Sequence, residues 1–468
     1  MLALNDIADM DRFCADCAER YIDVRVDAKT GLAVCCYTQR TQVEGHWDDA
    51  STMVARGLVV RPDPARLASV RQTGTLVDGS VADYMRLLDG IGVVARGMRK
   101  FFTVEAAQSD WGAIRLVDDG EDGEVIVAND VPLDMDRPAS VSDKVDGALG
   151  IGVPVTDSDG TVSYVLSTKG SLGSDEARFG TAHLRRDEAR MDMLVTLMTP
   201  HMRRFSPIFE IVTPEVRHVV DYGDFDDSVF LGLEEMATGR WIPAALLGAD
   251  PATADTGLEQ LCGIGFHVPE VQAASTLREA ITSKERDNRE GMVVTIDRND
   301  GSQAMYKVKY ETFLTLQAIH HMNRQGLRTL AANLPIDAIF AGTGQSSLVA
   351  AIEGEVTDMA HGHDVPETVA AMVADRLLRE YVTPIRELHD GAAAWYPRLL
   401  AETGENDGSR EWRKGYAAAV NAHAASGDFS PDVSSLLFRL PQVPVSDVGD
   451  AIRKYARSMV DKNPKKYR

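Results

Sequence analysis

The chain is poor in cysteine, in long apolar runs and in basic residues. Its 468 residues include only five cysteines, an odd number that does not form a disulfide framework. Reduced thiols fit this usage better, so we expect a cytoplasmic protein. No stretch approaches the ~20 uninterrupted apolar residues of a membrane-spanning helix. The N-terminal segment MLALNDIADMDRF turns acidic at once, so we expect no signal peptide either.

The cysteine pair in the stretch CADC is the only hint of a metal centre among the thiols. Cys14 and Cys17 continue an apolar repeat at helical spacing that starts at Leu4, so both are predicted to face a core. The adjacent Cys35 and Cys36 make a poor second ligand pair for zinc. We therefore expect core thiols rather than structural zinc.

The scarcity of basic residues gives a net charge of -22, which argues against non-specific polyanion binding by the whole surface. The last 28 residues are a local exception, with seven Lys or Arg against three Asp. This basic end is either a solvated helix end or a contact for RNA, and the sequence leaves both open.

Several familiar catalytic motifs are also missing from the sequence. We find no Gly-x4-Gly-Lys-Ser/Thr loop, no Gly-x-Ser-x-Gly elbow and no His-Glu-x-x-His pair. These absences argue against P-loop nucleotide hydrolases, α/β-hydrolases and zinc proteases.

Two kinds of pattern divide the chain. Residues 20 to about 315 alternate short β-like runs with turns, and the pattern then becomes helical to the C-terminus. The length also predicts two or three domains. We place the boundary at 315/316, just after the stretch YKVKYETF.

A first hairpin is predicted after the tetrapeptide KVDG, residues 144–147. The run ALGIGVPVT, the turn DSDG and the run TVSYVLST form its two strands. The returning strand would bring Lys169 beside Gly147 and Ala148, close to the loop of Lys144.

A second hairpin is predicted from EGMVVTI, the turn DRNDG and SQAMYKVKY. Period-2 alternation puts Lys307 and Lys309 on one face of the returning strand. Glu290 would lie opposite Lys309 on that face.

Together these groups suggest nucleophilic chemistry at Lys144. A lysine is a poor nucleophile because its pKa is about 10.4, but neighbouring cations and partial burial lower that value. We expect Lys169, Lys307 and Lys309 to do so, and to neutralise charge on an attacked α-phosphate. Either of two carboxylates, on Glu210 or Glu290, qualifies as ligand to Mg²⁺ or a ribose. The glycines that follow Asp146 and Glu290, namely Gly147 and Gly291, would let the backbone approach a nucleotide.

In order along the chain, these pieces resemble the covalent nucleotidyltransferase superfamily, and within it the bacteriophage tRNA-repairing RNA ligase 1 family. The likeness spans about residues 35–315. The motifs that carry it are ARGLVV (55–60), RKFFT (99–103), KVDG (144–147), STKGS (167–171), FEIVTPEVRHVVDY (209–222), EGMVV (290–294) and YKVKY (306–310).

The resemblance implies an α+β fold, with an antiparallel-sheet nucleotidyltransferase domain over 1–315 and an all-α domain over 316–468. Lys144 would form a lysyl-AMP intermediate. Arg56, Lys100 and Phe102 would lie in the ATP pocket, and Tyr37 near the ribose.

The resemblance also implies catalytic roles for Lys169 and Glu290, with Glu290 as the implied ligand of Mg²⁺ or Mn²⁺. Glu210 would bind the ribose hydroxyls, and Lys307 and Lys309 the α-phosphate. Further nucleotide contacts are implied for Asp146, Gly147 and Gly291.

Some of these residues have plainer interpretations. Phe101 and Phe102 are of the type that fills cores, and Tyr37 is explained by packing as well as by ligand contact. Arg56 would suit a surface ion pair, which contributes under about 1 kcal/mol.

The sequence departs from the family pattern at two positions. Ala148 stands where the family usually has serine, and Phe313 where it has tyrosine. The second change removes a hydroxyl that would reach metal or water. Neither change touches Lys144.

The implied activity is an ATP- and Mg²⁺-dependent ligation of RNA with 5′-phosphate and 3′-hydroxyl ends. Broken tRNA is among the implied substrates, and no membrane partner is implied. A separate kinase-phosphatase would first heal the ends. The alternatives are DNA ligase, capping guanylyltransferase, and a nucleotide- or RNA-binding scaffold that has lost catalysis. The helical C-terminal pattern argues against the first two, because both normally continue into an OB domain.

Overall fold

The structure is a computed structural model. It describes residues 2–103, 115–118, 124–128, 131–132, 135–157, 159–216, 219–320, 373 and 375–462. The chain divides into two compact units, Met1–Phe313 and Leu314–Arg468. The last six residues of the predicted basic end, 463–468, lie outside the described residues.

The strands of the described residues all belong to the first unit. They are β1 Ile22–Val26, β2 Ala33–Tyr37, β3 Arg56–Arg61, β4 Arg71–Thr73, β5 Leu76–Asp78, β6 Gly92–Ala95, β7 Phe102–Thr103, β8 Arg115–Asp118, β9 Glu124–Ala128, β10 Val131–Pro132, β11 Ser140–Asp143, β12 Ala148–Thr156, β13 Val162–Ser167, β14 Phe205–Val212, β15 Asp227–Glu235, β16 Trp241–Pro243, β17 Gly291–Asp297 and β18 Gln303–Lys309.

Helices of the first part of the chain lie between these strands. They are α1 Met10–Ala18, α2 Gln39–Glu44, α3 Pro64–Ala68, α4 Val81–Leu88, α5 Asp175–Arg185, α6 Glu188–Met198, α7 Leu277–Thr282 and α8 Glu311–His320. Short 3₁₀ turns occur at Leu4–Asp6, Ala244–Leu246 and Leu258–Gly263.

Two large sheets give the first unit four layers. One has the strand order β4-β5-β1-β2-β3-β6 and the other β13-β12-β14-β15-β16. In β3, Leu58 and Val60 face the core that includes α1 and α4, while Val59 faces a core shared with the second sheet. This alternation is the period-2 pattern of a strand buried on both sides.

The second sheet is buried in the same way. Tyr164 and Leu166 of β13 face the core that contains α6 residues, and Ile151 and Val153 of β12 face the core between the sheets. The order of layers is therefore helices, sheet, sheet, helices.

A smaller sheet, of order β11-β17-β18-β7, carries the second predicted hairpin. Its pairs are antiparallel except that of β18 with β7, which is parallel and aligns Tyr306 with Phe102. All other described strand pairs are antiparallel. The predicted α+β class with antiparallel sheets is confirmed.

The first cysteine pair lies in a helix, as its spacing predicts. The side chain of Asp9 caps α1 by accepting a hydrogen bond from the N–H of Arg12. Cys14 and Cys17 are both fully buried in the core beneath this helix. Their interpretation as core thiols is confirmed.

Among the described residues, helices α2 to α7 interrupt the pattern of β-like runs that we expected from residue 20 to about 315, and α5 and α6 are the longest of them. Helices α5 and α6 follow the first hairpin and cover one face of its sheet. Ser174 caps the first by accepting from the N–H of Ala177, and Asp187 caps the second by accepting from the N–H of Arg190. These caps were readable signals that the β-like interpretation passed over.

The described part of the second unit is helical. Its helices are Thr383–Thr403, Arg410–Ser426, Pro431–Leu437 and Val448–Lys462, preceded by a π-turn at Leu378–Val382, with 3₁₀ turns at Leu440–Gln442 and Val445–Asp447. Trp412 stacks on Tyr416, with ring centroids 5.2 Å apart, inside its core. Among the helices of the described residues, none is long and apolar enough to cross a membrane.

Candidate functional site

Lys144 lies in the short connection between β11 and β12. Its backbone N–H donates to the carbonyl oxygen of Gly291, 2.9 Å away, which ties the connection to the start of β17. Its Nζ donates to Oε2 of Glu290 at 2.7 Å. The side chain of Lys144 is 18% exposed and that of Glu290 only 3%, so the pair is nearly removed from water.

Glu290 is shared between two lysines. Its second oxygen, Oε1, lies 3.0 Å from Nζ of Lys309. The β17–β18 ladder pairs Gly291 with Lys309 and Val293 with Lys307, so the predicted register, with Glu290 opposite Lys309, is off by one residue. The carboxylate reaches Lys309 nevertheless, and both lysines lie on the same face of β18.

Gly291 begins β17 in a conformation that requires glycine. Its φ is +142°, and a Cβ at this position would collide with the carbonyl oxygen of Val308 and lie 2.8 Å from Cα of Lys309. The close approach of β17 to β18, which sets the position of Glu290, therefore depends on the missing side chain.

A second close approach involves Gly147. A Cβ here would lie 2.7 Å from Cγ of Glu210 and 2.7 Å from the carbonyl oxygen of Ile211. The ladder pairs Ala148 with Ile211 and Leu149 with Glu210. The glycine thus lets the Lys144 connection run against the strand that carries Glu210.

Asp146 holds a neighbouring loop in place. Its Oδ2 accepts hydrogen bonds from the backbone N–H groups of Val219 at 2.7 Å and Val220 at 3.0 Å. Its own N–H donates to the hydroxyl of Tyr222 at 2.7 Å. This carboxylate thus anchors the backbone of residues 219 and 220, a function that our sequence-based assignment of Asp146 to the nucleotide did not include.

The electrostatics at Lys144 contradict our expectation. Burial disfavours its charged form, but the carboxylates of Glu290 and Glu210 outweigh burial and raise the pKa of Lys144 above its ordinary value. We expected surrounding cations to lower this pKa. The expectation was wrong because the charges nearest to the amine are carboxylates.

Glu210 responds to the same surroundings in the opposite sense. Burial raises its pKa to about 7, with Lys144 opposing the rise and Glu290 adding to it. Near neutral pH this carboxyl group therefore exchanges a proton readily, which suits a group that hydrogen-bonds hydroxyls.

An aromatic box surrounds Lys100 on the other side of the site. Its Nζ lies 5.4 Å from the ring centroid of Tyr37, 5.0 Å from that of Trp47 and 5.4 Å from that of Phe102. The Trp47 ring meets the other two edge to face. Sequence reasoning found every member except Trp47, which follows no motif.

Lys169 joins this box from above Tyr37. The β12–β13 ladder ends at Ile151 and Ser167, so Lys169 lies just beyond it rather than beside Gly147 and Ala148 as predicted. Its Nζ is 5.5 Å from the Tyr37 ring centroid.

Phe101 lies between two further cations. Nζ of Lys307 is 4.6 Å from its ring centroid, and the guanidinium carbon of Arg56 is 5.7 Å away. Arg56 donates to the carbonyl oxygen of Met98 at 3.2 Å, while its Nε is buried without a partner. Phe101 is 9% exposed and belongs to the core between the sheets, so its interpretation as a core residue is confirmed. Its ring also contacts the cations of the site.

Burial and like charge act together on this side. Burial, with the charges of Arg56, Lys144 and Lys100, holds the pKa of Lys307 well below its usual value. Burial likewise lowers the pKa of Lys100; Tyr37 opposes this effect, and Arg56 and Lys169 reinforce it. A dense anion that entered here would meet cations whose charges are poorly compensated.

The two residues that depart from the family pattern, Ala148 and Phe313, both lie in regular secondary structure. Phe313 is 2% exposed, and its ring centroid lies 4.9 Å from Nζ of Lys309. Ala148 starts β12 opposite Ile211. Phe313 thus contacts the lysine cluster through a ring face that has no hydroxyl.

Among the described residues, no group of three or more His, Cys, Asp and Glu could hold a metal ion. Mg²⁺ is commonly held by one or two carboxylates together with substrate phosphates, rather than by a protein cage. The carboxylates of Glu290 and Glu210 fit that kind of donor set, since the charge of Glu290 adds to the rise in the pKa of Glu210 and a cation between them would offset it.

The predicted residues therefore gather in one region with two ends. Lys144, Gly147, Glu210, Glu290, Gly291 and Lys309 form a carboxylate-rich end, which we call the acidic end. Tyr37, Arg56, Lys100, Phe102, Lys169 and Lys307 form a cationic and aromatic end, which we call the basic end. The structure adds Trp47 and Phe101 to the second.

Comparison with known proteins gives weak likenesses. No protein-family model and no curated protein matches the chain. An archaeal ATP-dependent RNA ligase, form 1, matches at 13% identity and TM-score 0.34, over 81% of this chain and 78% of that one. Form 2 of that ligase matches at 11% identity and TM-score 0.36, over 82% of this chain and 80% of that one. A mutant Naegleria gruberi RNA ligase with ATP and Mn matches at 11% identity and TM-score 0.27, over 63% of this chain and 98% of that one. At TM-scores below 0.5, these likenesses carry no argument about this chain.

Proposed function

We propose that this protein is an ATP-dependent RNA ligase that works through a lysyl-AMP on Lys144. The observation that carries the proposal is the position of that amine. It is hydrogen-bonded to Glu290 at 2.7 Å in the acidic end, and its charge acts on Lys307 of the basic end. A nucleophile and its proton acceptor within hydrogen-bond reach are the geometric requirement for an activated amine.

In the first step, Nζ of Lys144 attacks the α-phosphorus of ATP. The N–P bond forms, the bond from the α-phosphorus to the bridging oxygen breaks, and pyrophosphate leaves. Before the attack, the ammonium of Lys144 gives one proton to Oε2 of Glu290, 2.7 Å away, which frees the lone pair of Nζ. The second proton, which Nζ loses as the N–P bond forms, leaves with pyrophosphate. Lys307 and Lys309 stabilise the charge on the phosphoryl oxygens, and Glu210 binds the ribose hydroxyls.

Mg²⁺ or Mn²⁺ would be held by Glu290, with Glu210 beside it. Such an ion would offset the carboxylate charge that now raises the pKa of Lys144, and so favour the neutral amine. The aromatic box of Tyr37, Trp47 and Phe102 receives the nucleotide, with Lys100 near the outgoing phosphates.

The later steps follow the same chemistry on RNA. AMP moves from Lys144 to a 5′-phosphate, which forms a phosphoanhydride and frees the amine. A 3′-hydroxyl then attacks the adenylylated phosphate, a phosphodiester bond forms, and AMP leaves. We assign the chain to the RNA ligase 1 kind, with broken tRNA as substrate, residues 316–468 as its RNA-specificity domain and an end-healing kinase-phosphatase as its functional partner.

The test is to incubate the purified protein with α-³²P-ATP and Mg²⁺, and to run a denaturing gel beside the Lys144→Ala variant and a parallel α-³²P-GTP reaction. We expect label with ATP only, and none on Lys144→Ala. Label from GTP would move the protein to capping chemistry. No label from either nucleotide, with RNA binding retained in Lys144→Ala, would leave a scaffold without catalysis.

A further inference from the structure

A large cavity lies at the far end of the strands that carry the basic end. Its volume is about 1230 Å³, and its walls come from the β1–β2 turn, the β12–β13 hairpin, α5 and the end of β3. Strand β3 starts at Arg56 in the site and ends at Arg61 in the cavity wall. Five residues at ~3.3 Å each put these two positions about 16 Å apart.

Of the described residues that line the cavity, five are cations and two are carboxylates. Two of the cations have partners, since Arg178 pairs with Asp175 and Arg186 with Asp226. The other three are Lys29, Arg61 and Arg185, which are exposed and make no ion pair within the described part of the chain. In a chain of net charge -22, three unpaired cations around one cavity are a local reversal of the surface charge.

The lining indicates what kind of ligand would bind. Leu32, Val155 and Val165 contribute aliphatic surface, and the lining residues that the structure describes include no aromatic ring. Base stacking needs such rings, whereas phosphate binding needs only cations and hydroxyls. The volume also exceeds the ~300–1,000 Å³ of ordinary small-molecule pockets. A stretch of sugar-phosphate backbone fits these features better than a mononucleotide.

We infer that this cavity binds the phosphodiester backbone of the RNA strand whose end is joined at Lys144. The inference rests on the proposed function and extends it by a second RNA contact outside the nucleotide site. At the ~3.4 Å of axial rise per phosphate in a stacked helical strand, the 16 Å between Arg56 and Arg61 corresponds to about five nucleotides. The contact is sequence-independent, because it reads no base edge.

The inference predicts a charge-dependent and length-dependent effect. Binding of a 5′-phosphorylated single strand of about 12 nucleotides is followed by fluorescence anisotropy between about 50 and 200 mM salt. Each change among Lys29→Ala, Arg61→Ala and Arg185→Ala should reduce the slope of log K against log salt by about 0.7, and the triple variant by about 2. A strand of about three nucleotides, too short to reach the cavity, should show no change.

The controls separate this inference from the proposed function. Arg203→Ala removes an exposed arginine that does not line the cavity and should leave the slope unchanged. The three cavity variants should label with α-³²P-ATP like the parent, since they touch no part of the nucleotide site. An unlabelled parent would overturn the proposed function, and the slopes would still report on the cavity.

Three results would overturn the inference itself. They are an unchanged salt slope in the triple variant, an equal loss with the short strand, and an equal loss in Arg203→Ala. Thermal unfolding of each variant shows whether it is folded. If the triple variant is not, the three single variants give the slope separately.

Discussion

The two ends of the candidate site treat the same residue type in opposite ways. At the acidic end, Glu290 and Glu210 raise the pKa of Lys144. At the basic end, burial and three cations hold the pKa of Lys307 well below its usual value. The site therefore places a charged amine beside carboxylates at one end and buried cations beside rings and other cations at the other. Burying cations away from a carboxylate destabilises the fold, and a bound polyphosphate would relieve that cost.

The largest effect is expected from removing the carboxylate of Glu290, which Lys144 and Lys309 share. In Glu290→Gln, we expect the rate of adenylylation to fall by about 10²–10⁴, because Lys144 loses its proton acceptor. The pKa of Lys144 should fall at the same time, since its strongest charge partner is gone. The measurement is the single-turnover labelling rate as a function of pH.

These two effects have opposite signs at neutral pH, so the outcome is informative. A variant that labels faster than the parent near pH 7 would contradict a catalytic role for Glu290 and leave only its effect on the pKa of Lys144. Glu259→Gln makes the same chemical change at an exposed position and should label like the parent.

The next test removes the poorly compensated cation. Lys307→Met should slow adenylylation by about 10²–10³, the usual loss for one group that stabilises a charged transition state. The free protein should become more stable, however. Because its pKa is depressed in the folded state, Lys307 binds a proton less readily there than in the unfolded chain. The stability that it contributes at high pH is lost as pH falls through the depressed pKa, so the folded state is disfavoured at neutral pH.

Thermal unfolding at pH 7 checks the second half of this prediction. A lower Tm for Lys307→Met than for the parent would show that Lys307 packs favourably and that the basic end is not under electrostatic stress. Lys284→Met, on an exposed segment, is the matched control.

A smaller effect is expected from Glu210→Gln. Loss of a charged hydrogen-bond partner for the ribose should raise KM for ATP by about 10- to 100-fold, the equivalent of ~1.5–3 kcal/mol. The carboxyl has its pKa raised to about 7, so it favours folding below its ordinary pKa, and this advantage is lost as pH rises through 7. Parent stability should thus fall between about pH 5 and 8 relative to the variant. Identical pH dependence of Tm in both proteins would contradict this assignment.

The smallest effect is expected at Trp47 in the basic end. Trp47→Leu removes one wall of the aromatic box, and we expect KM for ATP to rise about 3- to 10-fold with kcat unchanged, as for the loss of one aromatic contact of ~0.5–1.5 kcal/mol. Trp47→Phe keeps the ring and should recover most of the affinity. An equal loss in both variants would assign the effect to the indole N–H, which is buried without a partner.

Local patterns in the sequence predicted the elements that carry the site. The turns DSDG and DRNDG contain the glycines that hairpins need, and the strands beside them alternate as period 2 requires. Lys307 and Lys309 share a face for that reason, and Glu290 reaches Lys309 although the register differs by one residue.

Long-range features of the site could not be read in this way. Trp47 lies in a stretch without periodicity and reaches Phe102 only through the packing of distant segments. The sign of the pKa shift at Lys144 depends on which charges are nearest in space. The sequence names those charges but gives no distances, and a carboxylate at 2.7 Å outweighs lysines farther away.

Gly291 limits which substitutions the site tolerates. Its carbonyl holds the backbone of Lys144, its neighbour supplies the carboxylate, and its Cα passes too close to Val308 to carry a side chain. Alanine here would disturb nucleophile, acceptor and strand pairing at once, although residue 291 offers no reactive atom of its own. A saturation library at this codon, selected for any activity of the site, should therefore return glycine alone.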